Sequence, residues 1–188
     1  MRINRDNAHL LIIDVQEKLA PAVLDHIAVI AAVTRLVKAA KTLGIPITVS
    51  EQYPRGLGAT VASLRDAIGN EGRFLEKTHF SCLREGEFAQ RMQSVRAEGR
   101  NQIIVAGMEA HICVAQTVLD LQESGFQSFA VADAMGSRTR ESLDLALQRM
   151  RHAGAVTVNT EMALFEWLDK AGTPEFKVLQ QLVKQQDH

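Results

Sequence analysis

Three side chains suited to nucleophilic chemistry stand where apolar, strand-length runs end. Asp14 closes HLLIIDV (9–15) but for one residue, Lys77 closes the short RFLEK (73–77), and Cys113 follows NQIIVAG (101–107) after the turn MEAHI. Asp133, near the end of QSFAVADA (127–134), qualifies by position as well. If a helix starts near residue 112, its free backbone N–H groups and positive dipole end favour a thiolate at Cys113. A lysine ammonium nearby would lower the thiol pKa further. A carboxylate alone would raise it, yet could accept the thiol proton as general base. Together the three make a nucleophile, its base and a cation that holds both, and the helix N-terminus adds backbone donors for an oxyanion. A plainer reading stays open beside this one. A cysteine in apolar surroundings packs as a small hydrophobe, an aspartate can cap the turn after its strand, and lysines are usually solvated.

The elements that must position these residues follow from periodicity. Six strand-length runs recur: the four above, IPITVS (45–50) and AVTVN (155–159). Several are continuously apolar, as parallel strands covered on both faces require. Between them lie helical spacings: Ile27, Ile30, Ala31 and Val37; Phe88, Met92 and Val95; Val114, Val118 and Leu121; Leu143, Leu147 and Met150. Gly44, Gly99, Gly125 and Gly154 each follow such a helix, where a left-handed residue ends it. The alternation predicts one α/β domain with a mainly parallel sheet, whose ligands bind beyond the carboxyl ends of the strands. SEQYPRGLGATV (50–61) reads as irregular loop, because Pro54, Gly56 and Gly58 break both periods. The core spans about 7–159. A helical tail covers about 160–188, with Phe176, Leu179, Leu182 and Val183 on one side to meet the domain or another subunit.

Bulk properties narrow the function classes. The 188 residues suffice for one core without staples, and 46% hydrophobic with 23% charged is ordinary for a globular chain. A formal net charge of −1 carries no basic excess, so neither nucleic acid nor an anionic membrane is the expected partner. No stretch has the length of a transmembrane span or the form of a signal peptide. Two cysteines, Cys82 and Cys113, make neither a disulfide framework nor a CxxC pair, and a reducing cytoplasm is the expected compartment.

Four blocks in order, LLIIDVQ, FLEKTHFS, VAGMEAHICV and FAVADA, resemble the isochorismatase-like hydrolase superfamily from about Asn7 to Asn159. SEQYPRGLG and ALQRMRHAGA are similar to its branch of isochorismatase domain-containing proteins. The resemblance implies a three-layer α/β/α domain, a six-stranded sheet of order 3-2-1-4-5-6, and an Asp–Lys–Cys triad. Carried onto this chain, the base is Asp14, the lysine Lys77 and the nucleophile Cys113. The family's non-proline cis peptide falls on Met108–Glu109, so the Glu109 and Cys113 amides would form the oxyanion hole. In that strand order Lys77 starts two strands from Asp14 and must lean across.

The same resemblance implies a cysteine hydrolase that cleaves a small-molecule amide or related C–N bond through a thioester, without cofactor, in a homo-oligomer such as a dimer or tetramer. Nicotinamidases of the family bind metal through an Asp-x-His element plus a further histidine. Here Glu51 and Tyr53 stand in that element, and His79 and His111 have no ligand spacing with it, so no metal is expected. Isochorismatases that cleave a vinyl ether lack the cysteine, which argues against that reaction here. Gln16, Leu19, Tyr53 and Phe80 neighbour the catalytic blocks and are candidates to line the substrate pocket. Cys82 is read as a packed thiol, Asp133 as a tie for the loop at the sheet edge, and Ser137 or Thr139 as the cap of the following helix. His111 adjoins the nucleophile and faces solvent or a partner subunit in this reading. The alternative function is a catalytically weak or inactive family member, acting as an interaction or redox-sensing protein through Cys113.

Overall fold

The computed structural model describes residues 1–184, so the last four residues of the expected tail lie outside the described residues. The chain runs β1 (Ala8–Ile13), α1 (His26–Thr42), β2 (Ile47–Gln52), α2 (Pro54–Leu57), α3 (Ala62–Ile68), β3 (Gly72–Lys77) and α4 (Gly86–Ala97). It continues through β4 (Gln102–Met108), α5 (Ala115–Glu123), β5 (Gln127–Gly136), α6 (Arg140–His152), β6 (Val156–Val158), α7 (Thr160–Leu168) and α8 (Pro174–Lys184). The six strands form one sheet of order β3-β2-β1-β4-β5-β6 with every pairing parallel.

Alternate residues of each buried strand serve opposite layers. Leu10, Ile12, Val49 and Ile104 face a core closed by α1, α3, α7 and α8. Leu11, Ile13, Ile103 and Val105 face the other, closed by α4, α5 and α6. This two-sided cover explains why the strands read as apolar runs without alternation. Leu179 of α8 is buried, and Phe176, Leu182 and Val183 pack on the same core, so the tail's apolar side meets its own domain. The four helix-ending glycines all adopt positive φ, between 67° and 101°.

Two local expectations need correction. The face predicted for α1 is rotated: Ile27 is 75% exposed, and the buried residues include Val29, Val33, Leu36, Val37 and Ala40. A segment reading IAVIAAV offers apolar residues at every angle, so spacing alone cannot select its buried side. The segment 50–61 is also more ordered than a loop. Strand β2 continues to Gln52, α2 forms one short turn, and Thr60 bridges to Gln16.

Gly107 permits β4 to lie close against β1. It pairs with Ile13 at φ +123°, and a Cβ built there would overlap the Ile13 backbone carbonyl. Only glycine fits, so β4 can lie against β1 where both reach their carboxyl ends.

At the opposite end of the sheet, His9 is wholly buried with Nε2 2.9 Å from Thr48 Oγ1. Burial, then the charges of Arg91 and Arg100, lower its pKa to about 3. Below an unfolded value near 6.5 the unfolded chain binds a proton that the folded chain refuses, so stability falls as pH drops from about 6.5 towards 3. At pH 5 the expected loss is about 2 kcal/mol, from ~1.4 kcal/mol per pH unit. Urea unfolding at pH 7 and pH 5 should show it in the wild type and not in His9→Gln. Equal losses in both would assign the acid sensitivity elsewhere.

Candidate active site

Strand β1 ends at Ile13, and the backbone turns left-handed at Asp14, φ +51°, a conformation aspartate tolerates better than most residues. The Asp14 N–H donates to the Ser50 carbonyl at 3.2 Å. Its carboxylate is divided between two partners. Oδ1 accepts from Ser50 Oγ at 2.6 Å, and Oδ2 accepts from Lys77 Nζ at 2.7 Å. Lys77 does lean across, from the end of β3 over the end of β2, a span of about two strand spacings of ~4.8 Å. Its Nζ also donates to Gln52 Oε1 at 2.6 Å and to the carbonyl of Phe80 at 3.0 Å, with that of His79 at 3.3 Å. Both charged side chains are sealed from solvent.

Cys113 lies in a wide helical turn, Ala110–Val114, that leads directly into α5. The N–H groups of Ile112 and Val114 both donate to the Glu109 carbonyl. The helical backbone thus begins about two residues earlier than expected, and Cys113 sits inside its first turn. Cys113 is 5% exposed, and its thiol lies within reach of the Asp14 and Lys77 charges. The three residues expected to converge therefore do so.

The direction of the thiol's titration differs from the expectation of a standing thiolate. Burial first, and then the Asp14 charge, push the Cys113 thiol well above its ordinary range, with Lys77 opposing them. The lysine cannot win because it is already paired with Asp14, so the sulfur faces a nearly neutral couple in a desolvated site. For Lys77 itself burial lowers the pKa, but Asp14, Cys82 and Cys113 together outweigh it and the net shift is upward. Cys82 is fully buried, as expected of a packed thiol, and burial pushes it up to about 11.

The remaining candidates divide into struts and rim. Gln16 is buried and its amide is committed to backbone: Oε1 accepts from Gln52 N at 2.8 Å, while Nε2 donates to the carbonyls of Gln52 at 3.0 Å and Gly58 at 2.7 Å. Leu19 packs partly against the core. Tyr53 and Phe80 are 56% and 53% exposed, each on a backbone that touches Lys77, since Tyr53 N donates to the Lys77 carbonyl. The Met108–Glu109 peptide is cis, and the Glu109 carboxylate accepts from Arg138 Nε at 2.7 Å. His111 Nδ1 lies 3.0 Å from Ser137 Oγ, tying the cysteine's turn to the segment after β5. Thr139 caps α6 through Ser142 N, and Asp133 accepts from the N–H and hydroxyl of Thr160, tying β5 to α7.

Glu51 Oε1 accepts from Thr60 N, Thr60 Oγ1 and Arg65, and the Tyr53 ring covers Gly56. Among the described residues no three His, Cys, Asp or Glu side chains are grouped to hold a metal. Nor is any described helix long and apolar enough to cross a membrane.

Sequence reasoning missed Ser50 and Gln52, which hold Asp14 and Lys77. The available signal is a run of polar residues, SEQ, closing an apolar strand; a strand taken to end at Ser50 leaves Gln52 in the loop.

Comparison with known proteins agrees with the fold. A family described as the isochorismatase domain matches residues 8–162. Isochorismatase domain-containing protein 2 of Danio rerio is 36% identical over 97% of this chain and 89% of its own. The solved structure of MAR1 ribonuclease from Caenorhabditis elegans is 33% identical, covers 100% of this chain and 95% of its own, and superposes with a TM-score of 0.91. The YcaC gene product of Escherichia coli, described as an octameric hydrolase of unknown specificity, shares the fold with a TM-score of 0.87, 24% identity, and 96% and 90% of the two chains covered. These findings support a hydrolase-like function, and the chain belongs to the isochorismatase family.

Proposed function

We propose that this chain is a cysteine hydrolase that cleaves a small-molecule amide or related C–N bond. Asp14 takes the Cys113 proton as the sulfur attacks the carbonyl carbon, and the amides of Glu109 and Cys113 receive the oxyanion. The tetrahedral adduct collapses to a thioester as the C–N bond breaks, and the amine leaves with the proton from Asp14. Water then attacks the thioester while giving a proton to Asp14, which returns it to the departing sulfur. Lys77 keeps Asp14 oriented throughout by its hydrogen bond to Oδ2. Tyr53, Phe80 and Leu19 form the mouth, with Gln16 bracing it from below. The carrying observation is the sealed Asp14–Lys77 pair, 2.7 Å apart, beside the Cys113 thiol. Burying such a pair costs more than an apolar substitute would, which favours a chemical reason for keeping it.

The upward-shifted thiol counts against the redox-sensing alternative, because peroxide reacts with thiolates. The name of the nematode relative raises RNA as a substrate, but a net charge of −1 offers little for a phosphate backbone. The exposed Leu24, Ile27 and Leu145 suit self-association. The test is incubation with a panel of small amides, then mass spectrometry of the Cys113 peptide. An acyl adduct on Cys113 with matching amine release, both absent from Cys113→Ala, is expected. No adduct and no amine from any amide, with RNA cleaved or sulfenate formed in their place, would sink the proposal.

A further inference from the structure

Resting on that reading, we infer that Gln52 is a positioning residue of the site, a neutral acceptor that fixes the Lys77 ammonium while leaving its charge to Asp14. An ammonium has three N–H donors. Those of Lys77 meet Asp14 Oδ2 at 2.7 Å, Gln52 Oε1 at 2.6 Å and the Phe80 carbonyl at 3.0 Å, with the His79 carbonyl a longer fourth at 3.3 Å. No donor remains for a substrate. Lys77 therefore acts through its charge and through what it holds in place.

The orientation of the Gln52 amide is fixed by its surroundings. Its Nε2 donates to the Thr78 carbonyl at 2.8 Å, so the oxygen is the end presented to Lys77. The flipped amide would set N–H against ammonium and oxygen against carbonyl. Gln52 is held in turn from behind. Gln16 bonds both its N–H and its carbonyl, and Gln52 pairs in register with Lys77 itself across β2 and β3. Gln16, Gln52, Lys77 and Asp14 thus form one continuous hydrogen-bonded line ending at the carboxylate that meets Cys113.

The neutrality of the Gln52 acceptor is what the line requires. A carboxylate at 52 would hold the ammonium equally well but take a share of its charge, leaving Asp14 and Cys113 in a more negative site. The titratable groups around Lys77 are Asp14 after β1, Cys82 in the turn after β3, and Cys113 in the turn before α5. His79 and Glu85 pair with each other at 3.0 Å nearer the surface.

The experiment is the rate of Cys113 alkylation by iodoacetamide from pH 6 to pH 10, read on the Cys113 peptide, with a Tm for each variant. Gln52→Glu should displace the profile by at least one pH unit towards alkali, read as about tenfold slower alkylation at pH 8. Gln52→Met, which keeps length but offers no acceptor to the buried ammonium, should move it the same way by a smaller step. A purely structural role predicts lowered Tm values with the wild-type profile, and that result overturns the inference. Should Gln52→Glu fail to fold, Gln52→Met alone decides. The two readings fail separately: acylation of wild-type Cys113 with unmoved Gln52 profiles sinks only this inference, and moved profiles without acylation by any amide sink only the proposed reaction.

Discussion

Asp14→Asn is expected to move turnover and thiol reactivity in opposite directions. Hydrolysis of any amide that acylates Cys113 should fall by about 10²–10⁴-fold, since the asparagine amide cannot take the thiol proton. Alkylation of Cys113 by iodoacetamide at pH 8 should become faster. In the wild type the Asp14 charge is among the causes that push the thiol upward, and Lys77 opposes it. Removing the carboxylate leaves Lys77 without its counter-ion at 2.7 Å, so its charge is free to stabilise a thiolate. A conventional activated-cysteine arrangement, in which the carboxylate makes the sulfur reactive at rest, predicts that both rates fall together. That outcome, with an unchanged circular dichroism spectrum, would reject proton transfer during attack as the role of Asp14.

Lys77→Met should unfold the protein more readily than any ordinary core substitution of similar volume. Both partners of the ion pair have no side-chain exposure, so the variant leaves a carboxylate buried without a cation. Gln52 Oε1 and the Phe80 carbonyl lose their donor at the same time. Removing one member of such a pair costs about 3–5 kcal/mol. Adding Asp14→Asn to Lys77→Met should recover much of that loss, because no uncompensated charge then remains. Urea unfolding of the two single variants and the double variant checks this. Additive losses would mean that the two side chains are not energetically coupled, contrary to their geometry.

Much of this architecture was legible because strands covered on both faces leave a strong trace. HLLIIDV and NQIIVAG became β1 and β4, and each of the four glycines read as a helix stop has the positive φ that the stop demands. Strand ends also located Asp14, Lys77 and Cys113, while their assembly across β2 and the strand order came from the family resemblance. The less legible features depend on distance and burial. No pattern in FLEKTHFS reveals that Lys77 would exhaust its donors on Asp14, Gln52 and the Phe80 carbonyl. The titration of Cys113 is illegible for the same reason, since burial is its largest cause. A lysine beside a thiol lowers its pKa, but here burial and the Asp14 charge outweigh it. The buried side of α1 was illegible because its sequence is apolar all round.

The crowded contact at Gly107 has a practical consequence for anyone redesigning this protein. Tyr53 and Phe80 project into solvent and can be exchanged for larger or smaller groups with little cost to the interior. Position 107 admits no side chain at all, because the Ile13 backbone already occupies the space. The perimeter is therefore open to variation, while the approach of β4 to β1 is gauged by an atom the chain does without.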